Sequence, residues 1–209
     1  MKTIAKILSV GALVSGSLLT SSVASADVSY NVGFVSEYYY RGVFQKSSSA
    51  SAGIDYEQSG FYAGAWTADV GDGLEVDGYL GYGGEVGDFS YGVGFTGYYY
   101  TGDFDETYEE VNLSAGYGPV SIGYSIGEWD SQGGVDYDFL EVSIDLGAGF
   151  YGTYGTWGDE FDGDYFEVGY GTTVSEIDLG IALIFPSDEL EGTGDAAGEG
   201  IALSIGKSF

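Results

Sequence analysis

From residue 28 onward, apolar side chains recur at every second position. Val28, Tyr30, Val32 and Phe34 open the pattern, and Ala50, Ala52, Ile54 and Tyr56 repeat it. The alternation returns at Val76/Leu80/Tyr82, Phe89/Tyr91/Val93/Phe95, Val111/Leu113/Ala115/Tyr117 and Val120/Ile122/Tyr124/Ile126. It continues at Leu140/Val142/Ile144/Leu146, Phe166/Val168/Tyr170, Ile177/Leu179/Ile181/Leu183 and Ile201/Leu203/Ile205. A period of two places each set on one face of a β-strand, and no stretch sustains the period of a helix. Segments 61–68 and 150–157 carry aromatics in both registers, so they read as strands whose faces the pattern does not assign. Together these segments predict twelve short strands.

The connections fall into two kinds. Beginning after the second strand, every other one is short: Gln58-Ser59-Gly60, 84–88, Gly118-Pro119, 147–149 and 174–176. The alternate ones are mostly longer and acidic, at 101–107, 128–136, 158–164 and 186–197, with only 69–73 comparably short. An even number of strands with short turns at one end and long loops at the other predicts a transmembrane antiparallel up-and-down β-barrel. In such a barrel the short turns and both termini face the periplasm. A soluble β-sandwich also alternates with period two, but its solvated face carries long Lys, Arg and Gln side chains. Here the polar positions are mainly Gly, Ser and acids. Aromatics also gather near strand ends, as in Tyr38-Tyr39-Tyr40 and Tyr98-Tyr99-Tyr100, where interfacial girdles sit.

Composition sharpens this picture. Lys2 and Lys6 precede the apolar stretch Ile7 to Leu19, and Ala24-Ser25-Ala26 has the small-x-small pattern of a signal-peptidase site. Residues 1–26 are therefore expected to be a cleaved secretory signal and 27–209 a single barrel domain. Five basic residues face 33 acidic ones, which excludes a nucleic-acid partner. The chain has no histidine and no cysteine, so disulfides and Ser-His or Cys-His catalysis are impossible. The sequence reads as a non-enzyme, and no pattern in it sets an oligomeric state.

The stretch Ser36-Glu37-Tyr38-Tyr39-Tyr40-Arg41-Gly42-Val43-Phe44-Gln45 resembles a signature near the mature start of the TorF-type porin family of proteobacterial outer-membrane proteins. Residues 60–66 (GFYAGAW), 75–77 and 84–89 are similar to two further blocks, and the resemblance is dense over 28–118. Glu37, Tyr40 and Phe44 depart from the pattern. The resemblance implies a porin-like barrel and names no substrate.

If apolar residues face lipid, the alternate positions face the lumen. The candidate pore-lining acids are then Asp55, Glu57, Glu75, Asp77, Glu110, Glu141, Asp145, Glu167 and Asp178, among neighbours that are mainly Gly and Ser. One arginine and two lysines cannot pair nine carboxylates. The lumen is thus expected to be wet, or its acids protonated, metal-bound or gathered at the mouths. The leading expectation is a narrow passive channel for small solutes that prefers cations. The alternative is a non-conducting structural or adhesive barrel whose loops bind divalent cations.

By parity, Tyr38 and Tyr40 point outward, while Glu37 and Arg41 point inward at the outer mouth. There Arg41 is expected to tie strand ends together or to form a constriction. Phe209, on the face of Ile201, Leu203 and Ile205, is the expected signal for the outer-membrane assembly machinery. No resident cofactor is expected beyond possible Ca²⁺ in the loops, where Asp159, Glu160, Asp162 and Asp164 offer hard oxygens. Outer-membrane lipid is the expected surroundings.

Overall fold

The computed structural model describes residues 27–131, 133–190 and 198–209. The signal-peptide reading of residues 1–26, and part of the loop at 186–197, lie outside the described residues. Twelve strands follow one another in chain order. The first four are β1 (Asp27–Tyr40), β2 (Val43–Gln58), β3 (Phe61–Gly71) and β4 (Gly73–Val86). Next come β5 (Phe89–Tyr100), β6 (Tyr108–Tyr117), β7 (Val120–Trp129) and β8 (Val135–Gly147). The last four are β9 (Phe150–Asp159), β10 (Asp164–Val174), β11 (Ile177–Pro186) and β12 (Gly200–Ser208).

Each strand pairs antiparallel with its neighbours in sequence, and β1 pairs with β12 from Asn31↔Ser208 to Val35↔Ser204, so the sheet closes into a barrel. Closure removes every free edge. Tyr30 and Phe209 extend the seam by exchanging backbone hydrogen bonds of 3.2 and 2.9 Å.

The outer face carries the apolar alternation. Every strand contributes large exposed hydrophobics, among them Phe34, Ile54, Leu80, Phe95, Leu113, Ile122, Leu183 and Leu203. The two segments without an assigned face resolve cleanly. Trp66, Ala68 and Val70 of β3 are buried inside while Phe61 is exposed. Tyr151 and Trp157 of β9 are likewise inside, and Phe150 and Tyr154 outside.

The inner face is graded along its length. On β6, Glu110 is buried, Asn112 half-buried and Ser114 exposed, although all three share the lumen face. On β7 the same order runs Ser125, Gly123, Ser121, and on β10 it runs Glu167, Gly171, Thr173. The lumen is therefore filled toward the long-loop end and open toward the short-turn end.

The first hairpin does the filling. Arg41 and Gly42 alone connect β1 to β2, with φ of 49° and 84°. Both central residues of a tight two-residue hairpin turn of this kind must have positive φ. Ser48 also has a positive φ of 59°, and the β1–β2 register slips between Tyr38 and Tyr39. Both irregularities lie on β2, where Gln45 is the extra residue opposite Tyr38 and Tyr39, and beyond them the hairpin turns inward.

Tyr38 and Tyr40 therefore do not face outward as the alternation predicts. Tyr38 is 8% exposed beside Trp66, and Tyr40 packs on Tyr98 at 5.5 Å between ring centroids. Tyr39 packs inside against the opposite flank, with Ala182, Ile184 and Ala202. A Cβ on Gly42 would lie 2.7 Å from Cβ of Tyr165 and 2.8 Å from Cδ1 of Leu190, so only glycine lets the turn sit this deep.

Gly42→Ala is expected to cost about 2 kcal/mol or more, from left-handed strain plus overpacking. Gly87→Ala is the control, since Gly87 has φ of 67° but nothing within 4 Å of its Cβ position. Urea unfolding of the refolded proteins should show the larger loss for position 42. Equal losses would mean that the turn is not packed in the lumen.

Candidate functional site

The site is the lumen together with the hairpin folded into it. β6 and β7 stand half-way round the ring from β1, and Arg41 reaches them across the interior. Its Nη1 and Nη2 donate to the two carboxylate oxygens of Glu110 at 2.8 and 2.7 Å, and Nη2 also donates to Oγ of Ser125 at 3.1 Å. The fork of the guanidinium matches a carboxylate in this way, which a lysine could not do. The side chains are 12% and 0% exposed, respectively. Phe139, Tyr40 and Trp157 surround the guanidinium, with Cζ 4.4, 5.0 and 5.4 Å from their ring centroids. Trp157 fixes the turn itself, because its Nε1 donates to the carbonyl of Arg41 at 3.1 Å.

Glu110 receives more than the arginine. Tyr98 and Tyr137 donate to it at 2.8 and 3.1 Å, and Asn112 donates to it at 2.7 Å. The same chemistry recurs along the inner wall. Tyr38 donates to Glu75 at 2.9 Å, Tyr151 to Glu167 at 2.6 Å and Tyr165 to Glu141 at 3.2 Å. Tyr79 and Asn31 donate to Asp55. Phenol hydroxyls thus supply hydrogen bonds to the carboxylates without adding positive charge. Glycine makes the room: Tyr151 lies over Gly169, where a Cβ would come within 2.1 Å of its ring.

The sequence-derived candidates fall into distinct groups. Glu75, Asp77, Glu110 and Glu167 are buried in the lumen and Glu141 half-buried there. Asp55 and Glu57 are half-buried on the same face, nearer the short turns. Asp145 and Asp178 sit at the short-turn rim, where Asp145 accepts from the amide of Gly147 and Asp178 from Thr173. Asp77 differs from the rest, because both its oxygens are buried with the neighbouring carboxyl of Glu75 as their polar company, opposite Trp66.

Glu37 is half-buried on β1. Arg41 lies on the lumen side but not at the rim, since the inward bend carries it to the far wall instead of to neighbouring strand ends. The second ion pair is local: Nζ of Lys46 donates to Asp69. The loop acids do not converge, and among the described residues no group of three or more Asp or Glu is placed to hold a metal ion. Asp162 instead accepts from the amide of Gly163, and Asp164 receives a 3.4 Å bond from Tyr154 on the outer face. Phe209 extends the β1–β12 seam and lies 5.2 Å from Nζ of Lys207.

Sequence reasoning missed the tyrosines as donors. The available signal was the presence of 20 Tyr in a chain whose lumen-facing acids had no basic partners.

A model of a family described as bacterial proteins of unknown function (Gcw_chp) matches residues 20–158. The chain belongs to this family. No curated protein matches it. Several solved structures do. Against OccK1 (OpdK) of Pseudomonas aeruginosa the TM-score is 0.40 at 15% identity, covering 79% of this chain and 57% of that one. OccK2 (OpdF) of the same organism, solved with glucuronate, gives 0.41 at 12% identity, covering 84% of this chain and 60% of that one. OccAB1 of Acinetobacter baumannii gives 0.41 at 11%, covering 78% of this chain and 58% of that one. OpdK is described as an outer membrane protein. This Gcw_chp chain thus spans under two thirds of those proteins' length, and likeness at this distance says nothing about what it does.

Glu110→Ala leaves a buried guanidinium without its counter-ion and is expected to destabilise the barrel by about 3–5 kcal/mol. Arg41→Leu combined with Glu110→Leu should lose much less than the two single changes summed. Urea unfolding of the four proteins in a double-mutant cycle checks this, and additive losses would contradict it.

Proposed function

We propose that this Gcw_chp protein is an outer-membrane, porin-like barrel that admits small solutes, prefers cations and is throttled by its own first hairpin. The observation that carries this reading is the lumen: acidic, graded from open to filled, and crossed by one arginine whose charge is already matched by Glu110.

The exposed apolar residues on all twelve strands support a lipid surrounding, because a soluble protein does not leave so large an apolar face uncovered. With Lys46 bound to Asp69 and Arg41 to Glu110, the remaining lumenal carboxylates have no basic partners among the described residues. Rings of uncompensated carboxylates favour cations. The resemblance to TorF-type porins supports the same reading, in which the short turns face the periplasm and the long loops face outward. The expected partners are outer-membrane lipid, the barrel assembly machinery (through the Phe209 strand) and the permeating solutes. Residues 1–26 are proposed as the export signal. No catalytic constellation is proposed.

The filled outer half favours one second reading, a non-conducting structural or adhesive barrel.

Planar-bilayer recordings of the refolded protein under a KCl gradient separate the two. The proposed channel predicts small stepwise conductances with a cation-favouring reversal potential. Arg41→Ser should raise the conductance several-fold by freeing the hairpin, and Glu141→Gln with Glu167→Gln should weaken the cation preference. Chloride preference would overturn the selectivity. Silence from both wild type and Arg41→Ser would favour the structural barrel.

A further inference from the structure

The plug has an upper surface, and that surface is the floor of a cavity of about 410 Å³ opening at the long-loop end. Its volume falls within the range of small-molecule pockets. Six rings line it: Tyr40, Tyr98, Tyr100, Tyr108, Trp157 and Phe161. They are held by one another and by the hairpin below. Tyr100 packs on Tyr108 at 6.4 Å between centroids, Phe161 packs on Trp157 at 5.5 Å, and Trp157 is anchored through its bond to the Arg41 carbonyl. Around these rings stand four carboxylates, from Asp105, Glu160, Asp162 and Glu189. Among the described residues the lining includes no Lys or Arg.

The charge pattern narrows what can bind. Arg41 lies beneath Tyr40 and Trp157, but Glu110 neutralises it bidentately. The floor is therefore aromatic and nearly neutral, and the rim is negative. At the rim, Glu189 is held below the usual carboxylate range by its own backbone amide and by Ser187, and so is ionised at neutral pH.

An anion would be repelled by such a rim. A metal ion would need several oxygens drawn together, and the described residues offer no such group. A strongly hydrated ion would gain from the rim and little from the rings. A cation whose charge is spread over methyl groups gains from both, because ring faces attract it without demanding hydrogen bonds.

We infer that this cavity is a binding site for a small organic cation of the quaternary-ammonium kind. The inference deepens the channel reading, on which it rests for the side from which the ligand arrives. On that reading the site captures such cations at the outer mouth, directly above the hairpin.

Isothermal titration calorimetry on the refolded full barrel in detergent tests the site without asking whether the channel conducts. The probe is choline, compared with its neutral carbon isostere, in which a tert-butyl group replaces the trimethylammonium. Choline should bind saturably and the isostere about tenfold more weakly. Tyr100→Leu should weaken choline by a similar factor. Because that change could disturb the loops, Glu160→Gln with Asp162→Asn provides a second variant at exposed positions. It should weaken choline several-fold at low salt and hardly at all at high salt, where rim charges are screened.

Equal binding of choline and the isostere, or no saturable binding of choline, overturns the inference. A barrel that conducts potassium but ignores choline would sink this site alone. One that binds choline and never conducts would sink the channel reading and leave the site standing.

Discussion

One ion pair, between Arg41 and Glu110, decides the shape of this interior. Two opposite charges taken from water into a protein rarely gain enough from each other to offset their lost hydration. Here the deficit is met by geometry: a bidentate contact, a third bond to Ser125, and Tyr98, Tyr137 and Asn112 on the carboxylate. The pair spans the barrel, so it holds the tip of the first hairpin against the opposite wall. That hold sustains a left-handed backbone at Arg41, φ 49°, a conformation that costs an ordinary residue about 1–2 kcal/mol. The inward positions of Tyr38, Tyr39 and Tyr40, the filled half under the long loops and the floor of the mouth cavity all depend on it.

The second organising feature is how the barrel holds so many acids with so few bases. A sheet closed on itself must send alternate side chains inward, and here many of those are carboxylates. Tyrosine serves them by donating a hydrogen bond from a side chain that also fills volume. Each Tyr–acid pair therefore solvates a carboxylate and narrows the lumen at once. Near the short turns Ser and Gly replace tyrosine, and Ser114 and Ser121 are exposed. The molecule thus has two interiors: a packed aromatic one under the long loops and an open polar one under the short turns.

Much of the architecture was legible in the sequence. The strands, their outward faces and the contrast between turns and loops all follow from a period of two interrupted by Gly, Ser and Asp, because the outer face obeys one strict rule, an apolar side chain at every second position. The inner face obeys no such rule. It accepts Gly, Ser, Tyr or Glu according to local filling, so Trp66 and Tyr151 left their strands' faces unassigned. Extending the parity of β1 past Phe34 failed for a specific reason. The left-handed Ser48 and the extra Gln45 both lie on the partner strand β2, and where they disturb the pairing the hairpin turns into the lumen, so that Tyr38 and Tyr39 are both buried there. A pattern count does not register either. The partner of Arg41 was also out of reach, because Glu110 lies 69 residues away on the far wall and leaves no local trace. What the sequence did hold was the tight Arg41-Gly42 turn, whose glycine admits the close approach.

Arg41 is the chain's only arginine, so an arginine-selective nitrogen label reports on it alone. Solution NMR of the refolded barrel in detergent would read its guanidinium directly. The account predicts resolved, slowly exchanging Nη–H signals from a rigid group locked on Glu110, collapsing to one averaged signal in Glu110→Gln. An averaged, rapidly exchanging signal in the wild-type protein would show a solvated, freely rotating side chain, and the hairpin could not then be the plug on which this interior is built.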